Sequence, residues 1–259
     1  MMYDALGVQV PIPPAGYRNI GYVHSLAGVA SVDTALNETT AVLSAPDGAV
    51  TSFKVPSVNG TAITSANQLT AGIGNAIQMD FGTDPVSGMS WGRWQAGWAV
   101  NNPALANIAA QVATSSLHWF ASPVQTQAIT LPLTGIIPYI YAGGTTPTDN
   151  YGTLGTLSST PTFSANFTNQ TVDVTLGVNM PASGGGTPAV QLNATANNVP
   201  ILPGANFKTT TPNVTCTGCA TTATGVIGGQ FSQRGVGVGV GYGLQNGSQV
   251  INGAAVFHK

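Results

Sequence analysis

Charged side chains are scarce in this chain of 259 residues, which has only six Lys or Arg and eight Asp or Glu. Ordinary soluble domains carry roughly 25% charged residues, against 5% here. Without a basic cluster, the chain cannot supply the phosphate neutralisation that dominates nucleic-acid binding. We therefore expect neither a nucleic-acid partner nor an anionic-membrane partner. So few titratable groups also predict that the protein is not an enzyme and has no cofactor or metal.

Long hydrophobic runs are also missing. No segment has the roughly 18 consecutive apolar residues of a membrane-spanning helix, and the first residues lack the basic and apolar regions of an export signal. The sequence therefore predicts no transmembrane segment and no export signal within it. Few Lys and Glu, with abundant Thr, Asn and Gly, nevertheless favour an extracellular or bacterial cell-surface location.

The chain has two cysteines, Cys216 and Cys219, in the segment VTCTGCATT. A zinc site needs more ligands than this pair supplies, and the three histidines have no ligand-like spacing. No His follows Cys219, which argues against covalent haem attachment. The leading interpretation is a local disulfide that holds a loop, and free thiols or a metal or redox pair are the alternatives.

Alternation with a period of two residues recurs through the second half and predicts half-buried β-strands. Phe163, Ala165 and Phe167 share one face of such a strand, and Val172 and Val174 share a face after a short turn. Further runs follow at the spacing of an antiparallel meander. We therefore predict an all-β chain, with an antiparallel up-and-down eight-stranded β-barrel over the carboxy-terminal two thirds, a smaller amino-terminal β region and one short helix.

Three parts are predicted along the chain. Residues 1–18 form an extended arm that contains several prolines, residues 19–86 form the amino-terminal β region, and residues 87–259 form the barrel domain. The short helix is predicted after Asn102-Pro103, because Asn is a good N-cap and Pro is favoured at the first helical position.

Glycine occupies every second position from Gly235 to Gly243, so one face of this strand has no side chains. Interior glycine weakens a strand, and its repetition predicts that another part of the protein approaches that face closely, or that the sheet bends there. In a small closed barrel, large residues from opposite strands must also fit over small ones. The even spacing of the glycines argues against a dinucleotide-binding loop.

The main candidate binding patch contains Trp91, Arg93, Trp94, Trp98, His118 and Trp119. On a strand, Trp91 and Trp94 point to opposite faces, so a continuous aromatic platform does not follow from the spacing. The tryptophans are interpreted as core and barrel-rim anchors. The alternative is an exposed patch for a ligand or partner, since aromatic residues with Arg anchor many interfaces. Haem ligation by His118 is a minor alternative.

Carboxylates come closest to clustering at Asp80 and Asp84, in MDFGTDPVSG. Asp side chains commonly cap turns, and this is the interpretation for both residues and for Asp149. A calcium site that borrows neighbouring carbonyl groups is the alternative.

The order of several segments resembles the carboxy-terminal β-barrel region of proteobacterial FecR-domain-containing proteins. These segments are MSWGRW, SSLHWF, GTTPTDNYGTLGTL, FSANFTNQTVDVTLGV, VTCTGC, TGVIGGQFSQ, GVGYGL and INGAAVF. That region is similar in turn to the eight-stranded barrels of transferrin-binding-protein-B-like surface lipoproteins. The resemblance covers roughly residues 88–257 and implies a barrel. It implies neither signalling nor lipid anchoring here, because no signalling domain and no lipoprotein Cys were found in the sequence.

The leading functional hypothesis is a non-enzymatic, secreted or surface-exposed bacterial β-barrel protein whose loops serve binding or assembly. Its partner would be another protein or copies of itself, with haem as a minor alternative ligand. The second hypothesis is a structural subunit of an extracellular filament or sheath, because subunits with little charge repel each other weakly. In such a polymer the amino-terminal arm would insert into a neighbouring subunit.

Overall fold

The computed structural model describes residues 2–3, 9–10, 16–26, 29–38, 42–44, 49–55, 57–58, 61–62, 69–73, 76–95, 97, 99–101, 116–183 and 186–259. Over these residues the chain is almost entirely β, with one short 3₁₀ helix at Gln233–Gly235. Among the described helices, none is long and apolar enough to cross a membrane. The predicted short helix and most of the predicted arm lie outside the described residues.

The strands of the first half are β1 (Met2–Tyr3), β2 (Gln9–Val10), β3 (Tyr17–Leu26), β4 (Val29–Glu38), β5 (Leu43–Ser44), β6 (Val50–Val55), β7 (Ser57–Val58), β8 (Thr61–Ala62), β9 (Leu69–Gly72), β10 (Ile77–Thr83), β11 (Ser90–Gln95), β12 (Ala99–Asn101) and β13 (Ser116–Ala121). Those of the second half are β14 (Ile136–Gly144), β15 (Thr148–Asp149), β16 (Thr156–Leu157), β17 (Thr162–Asn166), β18 (Thr171–Met180), β19 (Val190–Pro200), β20 (Asn206–Thr209), β21 (Asn213–Thr217), β22 (Thr224–Phe231), β23 (Gly237–Asn246) and β24 (Gln249–His258).

The second half forms an antiparallel barrel of eight strands. β14, β17, β18 and β19 pair in chain order, β22, β23 and β24 do the same, and β24 pairs back to β14. The remaining strand is interrupted before Pro212, which has no N–H to donate. Its first part, β20, pairs with β22, and its second part, β21, pairs with β19. The predicted all-β fold with an up-and-down eight-stranded barrel is confirmed.

The barrel interior is filled by the alternating apolar residues of its strands. Phe163, Ala165 and Phe167 point inward together, as their period of two predicted. The ring of Phe163 contacts those of Tyr139 and Phe231, with centroid separations of 5.3 and 5.8 Å. This aromatic cluster packs in the interior at one end of the barrel.

The first half contributes two further layers. A five-stranded antiparallel sheet, ordered β10-β11-β13-β3-β4, lies with one face against the outer wall of the barrel at β22, β23 and β24. We call it the amino-terminal sheet. Its other face packs on β6 through Trp94, Trp119 and Phe53. The sequence analysis did not anticipate β4, although β4 pairs with β3 along its whole length.

The glycine-rich strand β23 is where the amino-terminal sheet meets the barrel. Its large residues, Val238, Val240, Tyr242 and Leu244, belong to the barrel core. Its glycines face outward: a Cβ at Gly239 would be 2.0 Å from Phe120 Cδ2, and one at Gly241 would be 2.5 Å from Val23 Cγ2. The predicted close approach is therefore confirmed. The expectation that these glycines make room inside the barrel is wrong, because they lie on its outer wall.

The pairing of the strands changes from the amino-terminal sheet to the barrel between Ala121 and Ile136. The predicted boundary between residues 86 and 87 lies in the turn that connects β10 to β11. These two strands pair with each other in one sheet. The segment 122–135 connects the two layers and lies at one end of the barrel.

Candidate functional site

Strands β11 and β13 carry most of the predicted binding patch and pair directly with each other. Arg93 is opposite His118, and Trp91 is opposite Phe120. Trp94 and Trp119 belong to the cluster on the far side of the amino-terminal sheet, whereas Trp91 packs with the cluster between that sheet and the barrel. The tryptophans therefore divide between two faces. Trp98 lies outside the described residues.

Trp94 and Trp119 are both fully buried between the amino-terminal sheet and β6. The indole N–H of Trp94 donates to the Val50 carbonyl oxygen at 2.9 Å and to Gln78 Oε1 at 3.0 Å. The indole N–H is therefore hydrogen-bonded both to β6 and to β10 of the amino-terminal sheet. Neither indole face is available to a partner on the protein surface.

Arg93 is held by a small polar cluster at the edge of the barrel interface. Its guanidinium Nε is 2.7 Å from Asp80 Oδ2, and the same oxygen accepts the Thr146 N–H at 3.0 Å. Arg93 is 1% exposed and Asp80 is 21% exposed at the side chain. The ion pair therefore joins the amino-terminal sheet to the segment that follows β14.

His118 is fully buried on the same face as Arg93. Its Nδ1 lies 2.8 Å from Thr145 Oγ1, and that hydroxyl oxygen also accepts the Ala254 N–H at 2.9 Å. Burial first, and then the nearby charge of Arg93, lower the pKa of His118 well below its usual value. The imidazole is therefore neutral and enclosed, which suits an interface residue better than a haem ligand or a catalytic base.

Trp91 is the one described tryptophan of the patch that is only half-buried. Its indole covers the backbone of two glycines: a Cβ at Gly82 or at Gly143 would be 2.3 Å from Trp91 Cζ2. It therefore fills a contact between β10, β11 and β14. Because four of the five described patch residues are buried, the five do not form an exposed aromatic surface.

The predicted turn-capping carboxylates are found in that role at two places. Asp84 accepts the Ser87 N–H at 2.8 Å and lies 3.0 Å from Nδ1 of His258. Burial raises the pKa of Asp84, but the hydrogen bonds from Ser87 and Val86 and the charge of His258 lower it by more. Asp149 caps its own turn, by accepting backbone N–H groups at 2.8 and 3.0 Å.

Cys216 and Cys219 form a disulfide, as the leading interpretation predicted. It lies at the end of β21, where the chain turns toward β22, and both sulfur-bearing side chains pack against the barrel core. Within the described residues, no group of three or more His, Cys, Asp or Glu side chains could hold a metal ion. Asp80 forms an ion pair with Arg93, and Asp84 caps a turn.

One end of the barrel is formed by a connecting segment, two turns and a loop. We call it the barrel mouth, and it consists of segment 128–135, the turn 167–170, the loop 201–205 and the turn 232–236. Segment 128–135 crosses this end and is tied down through Gln233, whose Oε1 accepts the Thr130 N–H at 2.8 Å. Tyr139 donates its hydroxyl hydrogen to the Gly235 carbonyl oxygen at 2.6 Å from inside the barrel.

Several exposed aliphatic side chains of the described residues lie at and around the barrel mouth, while Ile77 and Met79 are exposed on β10 and Ile140 on β14. Leu133 is 89% exposed, Ile136 is 69% exposed and Leu202 is 45% exposed. Val86 lies near this end, because the turn before β11 is held to the last residues of β24 by Asp84 and His258, and Val124 is exposed in the connecting segment 122–135. Around the opposite end of the described barrel, Leu154 is the exposed large aliphatic residue.

A recess lies within the barrel mouth, between segment 128–135 on one side and the turn 167–170 and the loop 201–205 on the other. Its volume is about 420 Å³, and it is open to solvent on one side. Ile129, Leu131 and Ile201 form its floor and pack against the barrel core, while Leu133 and Leu202 stand at its rim. No charged side chain lines this recess.

The sequence analysis did not identify the mouth residues. A usable signal was present, because Ile129, Leu131 and Leu133 alternate in AITLPLTG like the apolar face of a strand. Pro132 keeps this segment from continuing as a paired strand, since proline has no N–H to donate. An alternating apolar run interrupted by proline, placed between two β layers, therefore marks an unpaired apolar edge.

Neither the known protein-family models nor the curated proteins contain a match to this chain. The resemblance to the barrel region of FecR-domain-containing proteins therefore stays a prediction.

Three solved structures align with most of the chain at low similarity. Transferrin-binding protein B from Haemophilus parasuis Hp5, a vaccine antigen, is 13% identical with a TM-score of 0.42, over 93% of this chain and 44% of that one. Intact Ap-TbpB, with its N and C lobes, is 11% identical with a TM-score of 0.41, over 93% and 46%. A candidate outer membrane protein from Bacteroides fragilis NCTC 9343 is 14% identical with a TM-score of 0.27, over 95% and 97%.

This chain spans less than half the length of the two transferrin-binding proteins. All three TM-scores are below 0.5, so the architecture and the barrel mouth are described from the contacts of this chain alone.

Proposed function

We propose that this chain is a non-enzymatic protein of the extracellular space or the bacterial cell surface that binds another protein through its barrel mouth. The observation that carries the proposal is the group of exposed aliphatic residues there, with Leu133 at 89% exposure. Exposed apolar patches of this kind mark interaction sites, because the free energy falls when a partner covers a solvated apolar surface.

The chemistry around the mouth suits a protein partner. Arg234 is exposed in the turn 232–236, next to the apolar rim, and Arg is enriched in protein interfaces. Beneath the mouth, Phe167 and Phe231 pack against each other in the barrel core. A partner that offers an apolar patch with an acidic group beside it would match this surface.

The placement of the titratable groups supports the proposal that the protein is not an enzyme. Burial lowers the pKa of His24 to about 4; the charge of Asp33 opposes this shift, and the charge of Lys208 adds a smaller lowering effect. His118 is enclosed, and Asp80 and Asp84 are engaged in an ion pair and a turn. The Cys216–Cys219 disulfide is typical of oxidising compartments and supports a location outside the cytoplasm.

Site-specific photo-crosslinking tests the proposal. A photoreactive side chain at residue 133 is expected to capture a specific protein on intact cells, whereas the same side chain at residue 154, around the opposite end, does not. The captured protein is then purified and its affinity measured. We expect L133D/L202D to weaken binding at least tenfold and L154D to leave it unchanged.

Two outcomes would contradict this proposal. Equal binding by the wild type and L133D/L202D would remove the barrel mouth from the interface. Capture of another copy of the chain, together with ordered fibres in electron microscopy, would replace the binding role with self-assembly.

A further inference from the structure

The recess behind the apolar rim has the dimensions of a small-molecule site. Ligand pockets typically have volumes of roughly 300–1,000 Å³ and occur in the mouths of β-barrels. This recess has about 420 Å³. It differs from the rim in shape, because Leu133 and Leu202 project into solvent whereas Ile129 and Leu131 lie beneath them against the core.

The lining defines the charge of a ligand. Gln170 is the single lining residue with a polar side chain, and the others are aliphatic, aromatic or proline. A charged ligand group would lose its hydration there without gaining an opposite charge, which is costly. A neutral molecule with an apolar body loses little, and Gln170 can give or accept one hydrogen bond.

The volume defines the size of a ligand. An apolar cavity of roughly 150 Å³ is large enough to hold benzene. The recess has about 420 Å³ and therefore accommodates an apolar body of about two or three benzene-sized units. Filling it would also cover Phe167, Ile201 and Ile129.

We propose that the recess at the barrel mouth binds a neutral, largely apolar small molecule of two or three rings, with one hydrogen-bonding group. This site is additional to the proposed protein interface. The rim can bind a partner with the recess empty, and the recess can bind its ligand with no partner present.

N-Phenyl-1-naphthylamine is a suitable probe, because it is neutral, has three aromatic rings and carries one N–H. Titrated into the full chain, it is expected to show a saturable rise in fluorescence with one site per chain. Its sulfonated analogue, 1-anilinonaphthalene-8-sulfonate, has the same rings with a negative charge. We expect the analogue to bind at least tenfold more weakly.

Substitutions then locate the site. I129W fills the recess and is expected to weaken probe binding at least tenfold. V124W places the same side chain on the same connecting segment outside the recess, so it serves as the matched control and leaves binding unchanged. L202E adds a charge at the exposed rim and weakens binding of the neutral probe. Its exposed position keeps the test valid if I129W fails to fold.

The proposal is overturned if probe binding does not saturate, if the sulfonated analogue binds equally well, or if I129W and L202E both bind like the wild type. These results concern the probe alone. Loss of the protein partner in the crosslinking experiment leaves them unaffected, so the two proposals can fail separately.

Discussion

The ring of Phe120 lies directly against the backbone of Gly239. A Cβ atom at residue 239 would be 2.0 Å from Phe120 Cδ2, and one at Gly21, the cross-strand partner of Phe120, would be 1.8 Å from its Cζ. One aromatic ring therefore fills the space left by glycines from two layers. The amino-terminal sheet and the barrel are in contact through this ring, with Met89 and Val256 beside it.

Gly239→Ala is expected to lower the free energy of unfolding by about 2 kcal/mol, because an added methyl group in a tightly packed contact forces the layers apart. Urea denaturation of both proteins measures the loss. In a Phe120→Ala background the methyl group has room, and the same substitution should then cost less than about 0.5 kcal/mol. An equal cost in both backgrounds would show that the contact with Phe120 is not the cause.

Asp80→Asn is expected to destabilise the protein by about 3 kcal/mol, since it leaves the buried cation of Arg93 without its partner. Asp80 has a φ of +52°, which Asn tolerates well, so the loss would report on charge rather than on backbone strain. Arg93→Met removes the cation itself and should cost less. Thermal unfolding of the two variants compares them, and a larger loss for Arg93→Met would contradict this account.

Acidification is expected to destabilise the fold between pH 6.5 and 4. The pKa of His24 is lowered to about 4 in the folded state, whereas an unfolded His titrates near 6.5. The unfolded chain therefore binds a proton in this range that the folded chain does not, and stability falls as the pH falls. His24 alone accounts for about 3 kcal/mol, and His118 acts in the same direction.

Urea denaturation at a series of pH values measures this effect, with His24→Gln as the control that removes one titrating group. The variant should show a weaker pH dependence over the same range. A free energy of unfolding that stays constant between pH 7 and 5 would contradict the prediction.

Removal of the disulfide is expected to have a modest effect. A bridge that closes so short a loop restricts the unfolded chain little, which corresponds to about 2 kcal/mol. Cys216→Ser/Cys219→Ser should therefore lower the melting temperature and keep the circular dichroism spectrum of a β protein. Loss of that spectrum would mean that the bridge is required for folding.

The barrel could be predicted from the sequence because its strands alternate regularly. Phe163, Ala165 and Phe167 point inward as their spacing indicated, and Trp91 and Trp94 lie on opposite faces. Side-chain direction along a strand depends only on local backbone geometry. These features therefore needed no knowledge of tertiary contacts.

The partner of the glycine face could not be predicted in the same way. The spacing indicated a close approach at Gly239, but Phe120 comes from a strand of the other sheet, and packing between distant segments leaves no local pattern. The barrel mouth was missed for a related reason. Its floor residues Ile129 and Leu131 alternate like those of a strand, and Pro132 indicates only that the segment is unpaired; which part of the barrel the segment covers depends on distant contacts.

The docking of the amino-terminal sheet on β23 and β24 also sets an order of events during synthesis. His258 contacts Asp84, 174 residues earlier in the chain, and Met89 and Phe120 pack on the same late strands. Early strands therefore leave the ribosome long before the surface that covers them exists. Until β23 and β24 emerge, Met89 and Phe120 stay open to water or to chaperones, and such exposure favours aggregation. Mutations that slow the docking of β23 and β24 would therefore lower the yield of folded protein, because Met89 and Phe120 would stay exposed for longer.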